Sequence, residues 1–219
     1  MAEGLRRSLP NALTVARLVL AGAFFATITL SLRMGPHPDR ALWGNLAVGL
    51  FVVAALTDLL DGHLARRWQV VSGFGRIMDP FVDKVLVLGA FVFLASPRFA
   101  VPSDGDLDRF RMLTGVQSWM VTVILARELF VTSVRGVLEG RGVAFGAEWP
   151  GKIKMVLQSV AAPFCLFVAV NEGLAEHRGW AGTRDVLVWA TVLVTLWSAW
   201  PYVRRTGVLW SDGEGKGAA

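Results

Sequence analysis

The sequence predicts an all-α membrane protein, a bundle of six transmembrane helices with a short N-terminal cytoplasmic segment. Three observations lead there. The 219 residues are 54% hydrophobic and only 18% charged, with a mean hydropathy of +0.51; a soluble domain carries about a quarter charged residues. Six apolar windows, at 9–32, 42–64, 80–96, 115–134, 153–170 and 185–202, are near the roughly 20 residues with which a helix spans a bilayer. Lys and Arg gather at alternate ends of these windows. With the N-terminus inside, about two thirds of the 22 fall on the cytoplasmic side, and this bias sets membrane orientation.

The elements follow in order. Arg6 and Arg7 precede the first window as in a signal peptide, but the apolar run is long and Asn11, Thr14 and Arg17 interrupt its start, so a retained helix is expected. The second window ends in Asp58 and Asp61, and the third opens just after Asp79, with Pro80 suited to a first helical turn. The polar segment 96–111 reads as a connector, and strands are not expected anywhere, because no alternating apolar/polar pattern recurs. The fourth window carries Arg127, with Arg135 just beyond its end; Pro150 and Gly151 mark the turn into the fifth, which has Lys152 and Lys154 near its start and the single Cys165 in an apolar run. A lone cysteine forms no internal disulfide and reads as a small core residue. Residues 1–205 form one membrane domain, and 206–219 read as a disordered cytoplasmic tail. The net charge of +5 is spread along the chain with no basic stripe interleaved with aromatics, which excludes a nucleic-acid partner.

Chemistry concentrates between the second and third windows. Asp58 and Asp61 are three apart, Asp79 and Asp83 four apart, so each pair shares a helix face. Four converging carboxylates repel strongly unless a cation intervenes. Oxygen-only ligands suit Mg²⁺ or Mn²⁺ better than zinc, and two such ions about 4 Å apart serve phosphoryl transfer. Gly62, Ala65 and Gly75 lack bulk and let a ligand approach the backbone, while Arg66 offers a fixed charge to a phosphate. Helix caps and turns explain any one of these residues, but not the set.

Written out, the set is Asp58-x2-Asp61-Gly62-x2-Ala65-Arg66-x8-Gly75-x3-Asp79-x3-Asp83. It resembles the signature of the CDP-alcohol phosphatidyltransferases. The resemblance implies transfer of a phosphatidyl group from a CDP-linked lipid to an alcohol, with release of CMP, by a six-helix membrane protein that is commonly a homodimer. It implies two divalent cations, Mg²⁺ or Mn²⁺, held by Asp58, Asp61, Asp79 and Asp83, with Asp83 also the general base. It implies a CDP pocket lined by Asp58, Gly62, Ala65, Arg66 and Gly75. Such a site lies at the cytoplasmic face of the cytoplasmic membrane, with the acyl chains left in the bilayer.

The acceptor must be read elsewhere. Arg127, Arg135, Lys152 and Lys154 form a cationic cluster at the level of the aspartates; it reads as a site for an acceptor phosphate, or as positive-inside anchoring. Ala126-Arg127-Glu128, Arg135, the segment Trp149-Pro150-Gly151-Lys152-Ile153-Lys154 and the opening Pro10 to Arg17 resemble the family members that use glycerol 3-phosphate. Asn11, Thr14 and Arg17, three apart, share a face that reaches the site. Inositol phosphate or serine as acceptor keeps the chemistry and changes the alcohol. A cation transporter explains intramembrane acids but not the small residues and Arg66 at fixed spacing.

Overall fold

The computed structural model describes residues 2–34, 39–68, 73–103, 106–140 and 149–204; within them, side chains are described except at 2–11, 13, 59–68, 73–77, 79, 80, 103, 106–109 and 172. The proposed tail, 206–219, lies outside the described residues. The chain is mostly helical. Helix α1 spans Ala2–Arg33, α2 Asp39–Trp68, α3 Gly73–Leu94, α4 Ser118–Gly140, α5 Trp149–Val170, the short α6 Glu172–Glu176, and α7 Arg178–Trp197. Among the described residues four segments are long and apolar enough to cross a membrane: Thr14–Arg33, Asp39–Asp58, Trp149–Val170 and Arg178–Arg204. The third and fourth apolar windows overlap α3 and α4. The first 18 residues of α4 carry Arg127, Glu128 and Arg135, and α3 has side chains described only at Met78 and from Phe81 onward. Neither therefore counts by length and composition.

Two expectations are corrected. Helix α3 begins at Gly73, not at Pro80, so Gly75 lies in its first turn. Apolar windows mark where a helix meets lipid, whereas its backbone hydrogen bonds continue equally well into a polar flank. Second, the segment after α3 is not an irregular connector. A 3₁₀ turn, Pro97–Phe99, leads into a hairpin of β1, Ala100–Ser103, and β2, Asp106–Met112, paired antiparallel with Ala100 opposite Met112 and Val101 opposite Arg111. The prohibition on open strand edges holds in hydrocarbon. This segment lies outside the apolar windows, and Phe99, fully buried, pins it to the bundle.

Helix α1 packs along α2 and α3, α5 along α7 and α2, and α4 against α7 and α3. The core between them is aromatic and aliphatic: Phe24, Ile28, Phe51, Phe91, Leu94 and Leu166 are buried, and the Phe24 and Phe51 rings meet edge to face at 5.6 Å. Cys165 is buried in this core. Asn45 and Asn171 exchange side-chain hydrogen bonds of 3.1 and 2.9 Å between α2 and the end of α5. At the hairpin end, Arg98 donates to the Leu32 carbonyl at 3.0 Å and Arg40 to the Arg98 carbonyl at 3.2 Å. Arg184 of α7 reaches the Leu113 carbonyl at 2.7 Å. The turn into α4 uses Gly115 at φ 69°, where a side chain would be both strained and crowded by Arg184 and Asp185.

Gly44 sets how closely α2 approaches α5. A Cβ there would lie 2.5 Å from Val170 Cγ1. Gly44→Ala is therefore expected to lower stability by about 1–3 kcal/mol, the usual range for overpacking. Gly44→Ala with Val170→Ala is expected to recover part of that loss, read as thermal unfolding midpoints of the detergent-solubilised protein. Strictly additive losses would mean that the two side chains do not compete for one space.

Candidate functional site

The helices alternate in direction, so the end of α2, the start of α3, the end of α4 and the start of α5 come to one end of the bundle, and charged residues are concentrated there. Asp58 lies near the end of the apolar part of α2. Its Oδ1 is 2.5 Å from Nη1 of Arg17, which α1 holds almost fully buried, with Thr14 buried one turn earlier. A charged guanidinium at that depth is tolerable because the carboxylate balances it. Asp83, on α3, is the next acid. Its electrostatic neighbours are Asp58, Arg17, Lys154 and Glu128, contributed by α2, α1, α5 and α4. Two expected carboxylates, Asp58 and Asp83, are thus close enough to act on one another. Asp61, Gly62, Ala65 and Arg66 follow on the α2 backbone, Gly75 and Asp79 on that of α3, and Asn11 on that of α1; their side chains lie outside the described residues.

Asp83 also lines a cavity of about 560 Å³ between α3, α4 and α5, with Tyr202 in its wall. All four expected acceptor-site cations, Arg127, Arg135, Lys152 and Lys154, line it with Asp83. They differ in how their charge is met. Glu128 accepts from Arg127 Nη1 at 2.6 Å and from Lys154 Nζ in a short charged hydrogen bond, and all three residues are buried. Arg127 Nη2 also donates to the Ser198 carbonyl at 3.3 Å, which ties α4 to the end of α7. Arg135 donates to the Tyr202 hydroxyl at 3.2 Å, and Lys152 lies exposed over the Trp149 ring at 5.4 Å.

Three lining residues escaped the sequence reading as site residues. Lys84 donates to Thr132 at 2.7 Å beside Asp83; its adjacency to the last aspartate was the available signal. Glu128 was visible as an acid inside an apolar window, where acids need partners. Tyr202, far along the chain, gave no signal.

Among the described residues no group of three or more His, Cys, Asp or Glu is arranged to hold a metal ion; Asp61 and Asp79 contribute no described side chain. The donor chemistry nevertheless fits a hard cation. Asp58 and Asp83 offer carboxylate oxygens only, with no thiolate or imidazole among the expected ligands. Next to a basic cavity, that chemistry suits handling of phosphate esters by charge neutralisation and proton transfer.

Comparison with known proteins gives the same direction. Residues 7–197 match the family model described as CDP-alcohol phosphatidyltransferase. A Bacillus subtilis protein named CDP-diacylglycerol–glycerol-3-phosphate 3-phosphatidyltransferase is 31% identical, over 90% of this chain and 94% of its own length. An Escherichia coli K12 protein of the same name is 29% identical over 90% and 93%. A Mycobacterium tuberculosis H37Rv protein named probable phosphatidylglycerophosphate synthase is 32% identical over 90% and 81%.

Removing the shared anion tests the charge network. Glu128→Gln leaves Arg127 and Lys154 buried without their counter-charge and is expected to cost about 3–5 kcal/mol of stability. Adding Lys154→Met is expected to restore part of it, measured by thermal unfolding in detergent. A Glu128→Gln protein as stable as the parent would mean that the two cations are balanced by other groups.

Proposed function

The chain belongs to the CDP-alcohol phosphatidyltransferase family, and from that premise we propose that it transfers the phosphatidyl group of CDP-diacylglycerol to sn-glycerol 3-phosphate, giving phosphatidylglycerophosphate and CMP. The observation that carries the choice of acceptor is one cavity shared by Asp83 and four cations. A proton acceptor and a phosphate-sized concentration of positive charge in one space match an alcohol that is itself a phosphate ester. Serine has no use for so many cations.

The residues divide the work as follows. Arg135 and Lys152, with Arg127 and Lys154 behind them, hold the acceptor's phosphate. An acceptor anchored there has its free primary hydroxyl within the same cavity as Asp83. As that oxygen bonds to the phosphorus bearing diacylglycerol, Asp83 takes the hydroxyl proton and the bond from phosphorus to CMP breaks. Asp58, Gly62, Ala65, Arg66 and Gly75 contact the cytidine diphosphate. Two divalent cations, Mg²⁺ or Mn²⁺, held by Asp58, Asp61, Asp79 and Asp83, would neutralise the donor's pyrophosphate and the charge on departing CMP. Arg17, buried against Asp58, fixes that carboxylate's orientation, with Asn11 and Thr14 on the same face of α1.

The proposed setting is a homodimer in a bacterial-type cytoplasmic membrane. Residues 1–205 form one domain, α1 to α5 and α7 each cross the bilayer, and the site faces the cytoplasm. The bias of Lys and Arg toward that end of the helices supports this orientation.

Release of CMP from CDP-diacylglycerol, measured with glycerol 3-phosphate, inositol phosphate or serine, with and without EDTA, tests the reading. Turnover is expected with glycerol 3-phosphate and is expected to be lost with EDTA; turnover with serine alone would refute the acceptor assignment. Asp83→Asn is expected to fold normally and to lower kcat at least 10²-fold. Arg135→Ala is expected to raise KM for glycerol 3-phosphate by roughly 10-fold or more, the worth of a charged hydrogen bond, and an unchanged KM would remove Arg135 from the acceptor site.

A further inference from the structure

Arg135 differs from the other arginine of the cavity. The charge of Arg127 is met by Glu128. Arg135 has no carboxylate within ion-pair distance among the described residues, and that alone sets it apart, since the Nε of both arginines is buried without a hydrogen-bond partner among them. A buried guanidinium N–H with no acceptor is costly to leave unmet. The Arg135 side chain lines the cavity, where its uncancelled charge meets an incoming oxyanion. Arg135 Nη2 donates a 3.2 Å hydrogen bond to the hydroxyl of Tyr202.

The position of Tyr202 is well defined. The residue is 3% exposed, follows α7 through a turn, and donates its backbone N–H to the Ala199 carbonyl at 3.0 Å. Its ring thus approaches Arg135 from an element 67 residues away along the chain. The chemistry of the contact matters more than its reach. A carboxylate in that place would orient the guanidinium but cancel its charge and compete with a bound anion. A phenol hydroxyl accepts the hydrogen bond and leaves the charge intact.

We propose that Tyr202 is a positioning residue for the acceptor's phosphate, its hydroxyl holding the Arg135 guanidinium toward the cavity as an oriented, uncancelled anion receptor. This rests on the reading that a phosphorylated alcohol binds there. Tyr202 touches no reacting atom and acts through Arg135.

Tyr202→Phe in the whole chain keeps the ring and removes the hydroxyl. It is expected to raise KM for glycerol 3-phosphate roughly 3- to 10-fold, the equivalent of one hydrogen bond, while kcat and KM for CDP-diacylglycerol stay within about two-fold. Inorganic phosphate, as a competitor of the acceptor, is expected to lose potency by the same factor. In an Arg135→Ala background the change at Tyr202 is expected to add nothing. An unmoved KM and phosphate potency, or a full additional loss on top of Arg135→Ala, overturns the proposal. Equal rises in both KM values with a lowered unfolding temperature would make Tyr202 a support of the fold alone and overturn it as well. If the unaltered enzyme uses inositol phosphate and not glycerol 3-phosphate, the acceptor reading fails, while the phosphate competition in Tyr202→Phe still decides this one.

Discussion

One buried carboxylate holds the basic end of the molecule together. Glu128 stands between Arg127 on its own helix and Lys154 on α5, and Arg127 reaches on to the carbonyl of Ser198 beyond α7. Three helices therefore meet through a single negative charge. Without it, two cations would sit side by side at low dielectric, where like charges repel most strongly. With it, the ends of α4, α5 and α7 are fixed relative to one another, and the cavity they enclose with α3 acquires a defined shape. The second acid–base contact, Asp58 with Arg17, does the same for α1 and α2. At this end of the bundle two buried cations, Arg17 and Lys154, find their counter-charge on another helix.

This constraint sorts the cations of the cavity. Those deepest in the helices are balanced by protein. Those at its rim are held by neutral partners: Lys84 by a threonine hydroxyl, Lys152 by an indole face, Arg135 by a phenol. A neutral partner limits where a side chain goes without reducing what it can attract. The cavity is consequently basic in effect as well as in composition, and its charge complements an anion.

How much of this was legible beforehand depended on the range of the signal. Helix positions were legible because lipid demands a long apolar run, and α1, α2, α5 and α7 announce themselves that way. The starts of α1 and α3 were not, since a helix that leaves the bilayer has no hydrophobic pattern to betray it. The hairpin after α3 was hidden in a short polar stretch whose pairing depends on Phe99 being buried beneath it. The aspartate spacing was legible because its members lie close together in sequence. Arg127 and Lys154 were legible as cations at the right level, but not their common attachment to Glu128, which joins residues 26 apart. Tyr202 was illegible altogether: nothing local distinguishes it from an interfacial aromatic, and only the folded chain brings it to Arg135.

The core below the cavity has a further consequence. Phe24, Ile28, Phe51, Leu94 and Leu166 close around a void with no room for a water molecule, and the hairpin end is latched by Arg98 and Arg40 onto backbone carbonyls. A hydrated basin full of mobile charge would be a hazard in an energised membrane if it continued to the other side, because ions would leak down their gradients through it. Packed aromatic and aliphatic side chains are what would interrupt such a path. At these residues the core leaves no room for water to pass beyond the cavity.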